Sequence, residues 1–271
     1  MTITEQKAFL SGYQGLTRKP QKSLEEWIPL LDACSPKITI TPVKFGTTAG
    51  VYEKIQLEQY GVILTARCIH PADTEKHPLL LMYHDLNRGV RGWHHMTRFL
   101  AFGYGVAALE AQPFLGDWKE GQVDFEQRYW DALLFGRTML SLPWVSKEGA
   151  ISFGEGFGGG LALLAAALLP GVLRCVALNP FPGDFRGLGM EDMDRLDLVN
   201  LAPLCQGQVL MGTCLMDTYA PPKGQAAIFH HLHCKKTWKL YPKYLHERVN
   251  FFENEMVSFL SEAAIIKDKN I

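Results

Sequence analysis

The chain has 271 residues, 47% hydrophobic and 20% charged, and its 27 basic and 28 acidic side chains leave a formal net charge of -1. So even a balance provides no basic field, which excludes nucleic acid and an anionic membrane surface as expected partners. A chain of this length can bury one large core, so a single domain over residues 1–271 is the expectation.

The opening MTITEQKAFLSGYQG lacks a basic region followed by an apolar run, so no secretory signal is expected and the expected location is cytoplasmic. Residues 1–37 read as a helical extension packed on the domain, with SLEEWIPLLDA as its amphipathic part. In KITITPVKF and VYEKIQLEQYGVILTARCIHP, β-branched and apolar residues separated by Gly, Pro and Thr predict antiparallel strands. From residue 78 short apolar runs alternate with helical stretches: LLLMYHDL, MTRFLAFGY, VAALEA, a helix through RYWDALLFGRTML, then AISF. That alternation predicts a mostly parallel sheet with helices on both faces. It continues through a glycine-rich turn, the helix LALLAAALL, the strands VLRCVALNP and GQVLMGTCLMD, a helix after PPKGQ, the strand TWKLYP and a final helix ERVNFFENEMVSFLSEAA. The longest apolar stretch, LALLAAALLPGVL, meets Pro170 well short of the roughly 18 to 20 residues that span a bilayer, so no transmembrane segment is expected. Cys34, Cys68, Cys175, Cys205, Cys214 and Cys234 form no C-x-x-C pair and read as reduced, mostly buried thiols.

Residues 151–160, ISFGEGFGGG, have the strand, tight turn and helix start of a nucleophile elbow, G-x-S-x-G. Here the turn reads Gly154-Glu155-Gly156-Phe157-Gly158, so Gly156 stands at the nucleophile position. Glycine has no side-chain atom that can attack a carbonyl, which excludes acyl-enzyme chemistry at Gly156. It also relieves the elbow's backbone strain, worth about 1–3 kcal/mol. The unpaired N–H groups at the helix start still suit an oxyanion. The same residues fit the dinucleotide fingerprint G-x-G-x-x-G, but VLRCVALNP ends in Asn179 rather than an acidic residue and the turn lies mid-chain. A vacant elbow therefore outranks a nucleotide site, and no cofactor is expected. Ser152, inside the strand, is too far from the apex to substitute, and Glu155 reads as structural.

In VLMGTCLMDTYAPP an apolar strand ends at Asp217, and Pro221 and Pro222 follow where a helix should begin. In TWKLYPKYLHE, His246 follows the last strand. Singly, an Asp after a strand is more often a turn former or cap, and a His more often a surface residue. Together, in the order elbow, Asp, His, they match the order of the α/β-hydrolase triad. An Asp that fixes the tautomer of a His makes a general base for a serine or for water. His230, His231 and His233 lack acidic or cysteine partners at ligand spacing, so no metal is expected. Trp93, His94 and His95 read as packing at a helix start.

From about Trp27 to the C-terminal helix the chain resembles the acetyl xylan esterase and cephalosporin C deacetylase family of carbohydrate acetyl esterases. NPFPGDF, LDLVNLAP, GTCLMDTYAPP and YPKYLHE carry the resemblance most strongly. It implies an α/β-hydrolase fold, a mostly parallel sheet with an antiparallel N-terminal edge, and catalytic roles for Asp217 and His246. Where the family has G-G-S-Q-G-G-G this chain has GEGFGGG; its H-G-Y turn is His84-Asp85-Leu86 here, and its R-G-Q is Glu110-Ala111-Gln112. Oxyanion donors are backbone groups, so the resemblance implies Leu86 and Phe157 for that role, with Glu110 and Gln112 at the pocket. It implies a small-molecule ester or acetylated sugar as ligand, and a homo-oligomer. The family's hexamer uses segments that are shortened here after Gln112 and between Phe185 and Asp197. Three functions are open at this point: an esterase inactive or strongly impaired for want of its serine, an enzyme using the His246–Asp217 dyad as base without a covalent intermediate, and a non-catalytic binding or interaction protein.

Overall fold

The computed structural model describes residues 2–16, 24–45, 50–110 and 123–268, with side chains through Ser261. The first helix, α1 (Ile3–Gly12), starts in a capping box: Thr2 Oγ1 accepts the Glu5 N–H, and the Glu5 carboxylate accepts the Thr2 N–H. α2 (Trp27–Ala33) follows, its Trp27 edge-on to Trp130 with ring centres 5.7 Å apart. β1 (Lys37–Pro42), β2 (Val51–Gln59) and β3 (Val62–His70) form the expected antiparallel edge. Between β2 and β3 the chain reverses in two residues, with φ of 50° at Tyr60 and 79° at Gly61. Positive φ at both central positions marks a type I′ turn, whose twist matches that of the strands it joins.

The alternating part then runs β4 (Leu79–Tyr83), α3 (Trp93–Thr97), β5 (Gly105–Glu110), α4 (Phe125–Leu140), β6 (Ala150–Glu155) and α5 (Phe157–Leu168). It continues with β7 (Val172–Leu178), the short α6 (Leu198–Leu201), β8 (Gln208–Cys214), α7 (Pro222–His231), β9 (Lys235–Tyr241) and α8 (Asn250–Asp268). Among the described residues the sheet has nine strands, in the order β1-β2-β3-β5-β4-β6-β7-β8-β9. From β5 to β9 every neighbouring pair is parallel.

β4 is buried on both faces, so its alternate residues feed two cores. Leu79, Leu81 and Tyr83 join the cluster under α4 and α5, with Phe135 and Leu164; Leu80 and Met82 join the one under α3 and α8, with Phe99, Phe252 and Met256. α1 attaches through Gln6, whose amide donates to the Leu215 carbonyl at 2.7 Å, and through Tyr13, whose hydroxyl donates to Asp184 at 2.5 Å.

Two boundaries differ from expectation. MTRFLAFGY is not one helix: α3 ends at Thr97 and a 3₁₀ segment carries the chain to Phe102, where Gly103 at φ 77° stops it. The last helix begins at Asn250 rather than Glu247, because Glu247 N–H donates to the Leu245 carbonyl and its carboxylate accepts the Leu245 N–H, closing a tight local turn. All six cysteines are free, four of them buried. No described helix is long and apolar enough to cross a membrane.

Candidate active site

Parallel strands deliver their C-terminal ends to one edge of the sheet, and a crevice forms where the strand order reverses. Here the reversal falls at β4, flanked by β5 and β6. Past β4 come His84, Asp85 and Leu86; past β6 comes Gly156; past β8 comes Asp217; past β9 comes His246.

Gly156 has φ 57° and ψ -126° at the N-cap of α5. The elbow has therefore kept a conformation that is comfortable only for glycine. It is held by Gly156 N–H donating to the Leu178 carbonyl at 2.8 Å, while its own carbonyl accepts from Gly160 and Phe181.

The space above this turn is filled. A Cβ built on Gly156 would fall inside the Asp85 carboxylate, with Oδ1, Cγ and Oδ2 as its nearest neighbours. Asp85 Oδ1 accepts the N–H groups of Leu86 and Phe157, both at 2.9 Å. These are the two donors expected to hold an oxyanion. Asp85 Oδ2 lies 2.5 Å from His246 Nε2, and Asp217 Oδ2 lies 2.7 Å from His246 Nδ1. The other Asp217 oxygen accepts the N–H groups of Tyr219 and Ala220 at 2.9 and 2.8 Å. The Asp85 side chain thus lies as a carboxylate product would, one oxygen between two N–H groups and the other on the histidine.

Both partners of the imidazole are carboxylates, which as anions only accept, so both ring nitrogens must donate. His246 is then an imidazolium between two carboxylates. Burial by itself would lower its pKa, but the hydrogen bonds and charges of Asp217 and Asp85 outweigh burial and push it up to about 9. Burial would likewise raise the Asp85 pKa, yet His246 and the two N–H groups hold it below the usual carboxylate range.

The loop bearing His246 is tied to the elbow by ion pairs, in which Arg91 and Glu155 are buried and Arg248 is exposed. Arg91 bonds to Glu155 and, at 2.8 Å, to Glu253; Arg248 reaches Glu155 at 3.1 Å. Arg88 donates to the His246 carbonyl at 2.9 Å. Glu155 is structural, as its position in the elbow implied, and Ser152 is spent inside the core on the Ala162 carbonyl at 2.7 Å. Trp93 packs edge-on against Tyr52 and Phe45. His230 and His231 bond to the carbonyls of Leu10 and Ala227. No group of three or more metal-ligating side chains occurs among the described residues.

Asp85, Leu86 and Phe157 border a cavity of ≈ 450 Å³. Glu110 lines this cavity, paired with Arg67 at 2.5 Å. Gln112 lies outside the described residues. His84 and Arg128 share the wall with apolar Leu64, Leu109 and Leu161.

Asp85 enters the sequence reading only as a departure from H-G-Y, yet it lies at the centre of the described site. Its signal there was paired: Asp85 stands where the H-G-Y turn of the resembled family has glycine, and Gly156 where that family's elbow has serine. The side chain absent from one turn leaves space that the Asp85 side chain of the facing turn fills.

The sequence profile described as acetyl xylan esterase (AXE1) matches residues 116–195 and 187–263, together more than half of the chain. Among solved structures, acetyl xylan esterase 1 from Thermoanaerobacterium sp. JW/SL YS485 superposes with a TM-score of 0.82 at 23% identity, covering 97% of this chain and 98% of that one. An acetyl xylan esterase from Paenibacillus sp. R4 does so with 0.82 at 18% identity, covering 97% and 99%. The Pyrococcus horikoshii acylaminoacyl peptidase matches at 0.60 and 16% identity over 80% of this chain and 39% of that one. At these identities the structural likeness bears on the fold, which is that of the α/β-hydrolases.

Proposed function

The chain belongs to the acetyl xylan esterase family, and on that premise we propose that it is a member in which the serine-esterase pathway is closed and the site serves a small molecule in another way. The observation that carries this is the Asp85 carboxylate, which fills both the space above Gly156 and the oxyanion cradle. An acyl-transfer enzyme needs a nucleophile and donors 2.7–3.1 Å from the developing oxyanion. The Gly156 turn offers a substrate ester neither, since glycine has no nucleophilic side chain and the donors are committed to Asp85.

The reading of His246 as a resting general base on water is disfavoured for a separate reason. An imidazole with a pKa of about 9 carries its proton at neutral pH and cannot take another. The cavity beside Asp85, ≈ 450 Å³ and partly apolar, is of a size that suits a small ligand.

Purified protein assayed with p-nitrophenyl acetate and acetylated sugars is expected to show no turnover sensitive to a fluorophosphonate. Covalent labelling by the fluorophosphonate together with loss of ester turnover would sink the proposal.

A further inference from the structure

The carboxylate that closes the serine pathway is itself held in the manner of a nucleophile. We propose that Asp85 is a catalytic nucleophile that forms a covalent ester with alkyl substrates bearing an anionic leaving group, primary alkyl halides being the simplest class. This rests on the reading that Asp85 has taken over the slot above Gly156.

Three observations support it. Asp85 Oδ1 sits between two N–H groups at 2.9 Å, while Oδ2 accepts one bond, from His246, and so keeps a second lone pair. His246 is oriented from its far side by Asp217 at 2.7 Å. The cavity wall that includes Asp85 also carries Leu64, Leu109 and Leu161 for an alkyl chain and Arg128 for a departing anion. The substrate class follows from the cradle. A substrate ester would need the oxyanion donors for its own carbonyl and finds them taken, whereas attack on an sp³ carbon needs none.

In the first step the Oδ2 lone pair forms a bond to the sp³ carbon, the carbon–halogen bond breaks and halide leaves with its electron pair. Asp85 becomes a neutral ester. His246 loses one of the two anions that raised its pKa, releases its proton to solvent, and the short contact with Oδ2 relaxes enough to admit water. Water then attacks the ester Cγ and gives a proton to His246 Nε2. The oxyanion that develops on Oδ1 already faces Leu86 and Phe157 N–H. Collapse expels the alkoxide, which takes the proton from His246. The Asp85 carboxylic acid returns its proton to the imidazole and the resting ion triad reforms. The sum is alkyl halide and water to alcohol, halide and a proton.

The test is a single-turnover incubation of the whole protein with 1-bromohexane in H₂¹⁸O. Bromide release is expected to exceed that of Asp85→Asn by about tenfold or more, with ¹⁸O appearing in the peptide that contains Asp85. His246→Gln, lacking the base, is expected to accumulate a hexyl adduct on Asp85. Absence of bromide release and of ¹⁸O incorporation in the wild type, which needs no variant to fold, overturns the inference. The same protein remaining inert to fluorophosphonate would leave the closed serine pathway standing, so the two failures are distinct.

Discussion

At the scale of single residues the site turns on a pair, Gly156 and Asp85. A serine placed at 156 alone cannot act as an esterase nucleophile, because any Cβ there collides with the Asp85 carboxylate. Gly156→Ser is therefore expected to stay inactive on p-nitrophenyl acetate. Asp85→Gly/Gly156→Ser clears the slot and both oxyanion donors in one change, leaving His246 to the new hydroxyl. We expect it to exceed either single variant by on the order of 10³-fold in turnover, a modest share of what a complete triad provides, and to become labelled by a fluorophosphonate. Equal rates for single and double variants would show that Asp85 is not the obstacle.

At the scale of elements the question is how two turns come close enough for one carboxylate to bridge them. The answer lies in the glycines of the elbow. A Cβ on Gly158 would stand 2.6 Å from the Tyr83 carbonyl oxygen and 2.7 Å from the His84 carbonyl carbon, both in the backbone that leads to Asp85. The start of α5 thus rests directly on the end of β4, and Phe157 N–H reaches Asp85 because nothing separates them. Gly158→Ala is expected to cost about 1–3 kcal/mol, as overpacking against backbone does, measured as a lowered urea midpoint at unchanged slope. A midpoint within error of wild type would mean the contact gives way freely. The elbow was legible in the sequence at this scale, since a strand, five glycines and an apolar helix leave few alternatives. The contact partner of Gly158 was not, because it lies more than seventy residues away in the chain.

At the scale of the whole molecule the Asp217–His246–Asp85 triad links stability to pH. The His246 pKa is raised from 6.5 to about 9 in the fold, so its contribution is fully present below pH 6.5 and is lost as pH rises through about 9. Asp85 is shifted down, so its contribution is present above the ordinary carboxylate range and is lost as pH falls through its lowered value. Unfolding free energy from urea titrations is expected to fall between pH 6.5 and 9 by on the order of 3 kcal/mol, and by less in Asp85→Asn. An equal decline in both proteins would detach Asp85 from the histidine. The class of fold, the antiparallel edge, the position of the elbow and the order of Asp217 and His246 along the chain were legible in the sequence. Those follow from local periodicity, turn chemistry and chain order, which are properties of short segments. That the space above the elbow is occupied rather than vacant emerges from the folded arrangement alone. Asp85 and Gly156 meet through the register of two parallel strands and the close seating of one helix, and no pattern within either segment encodes the distance between them.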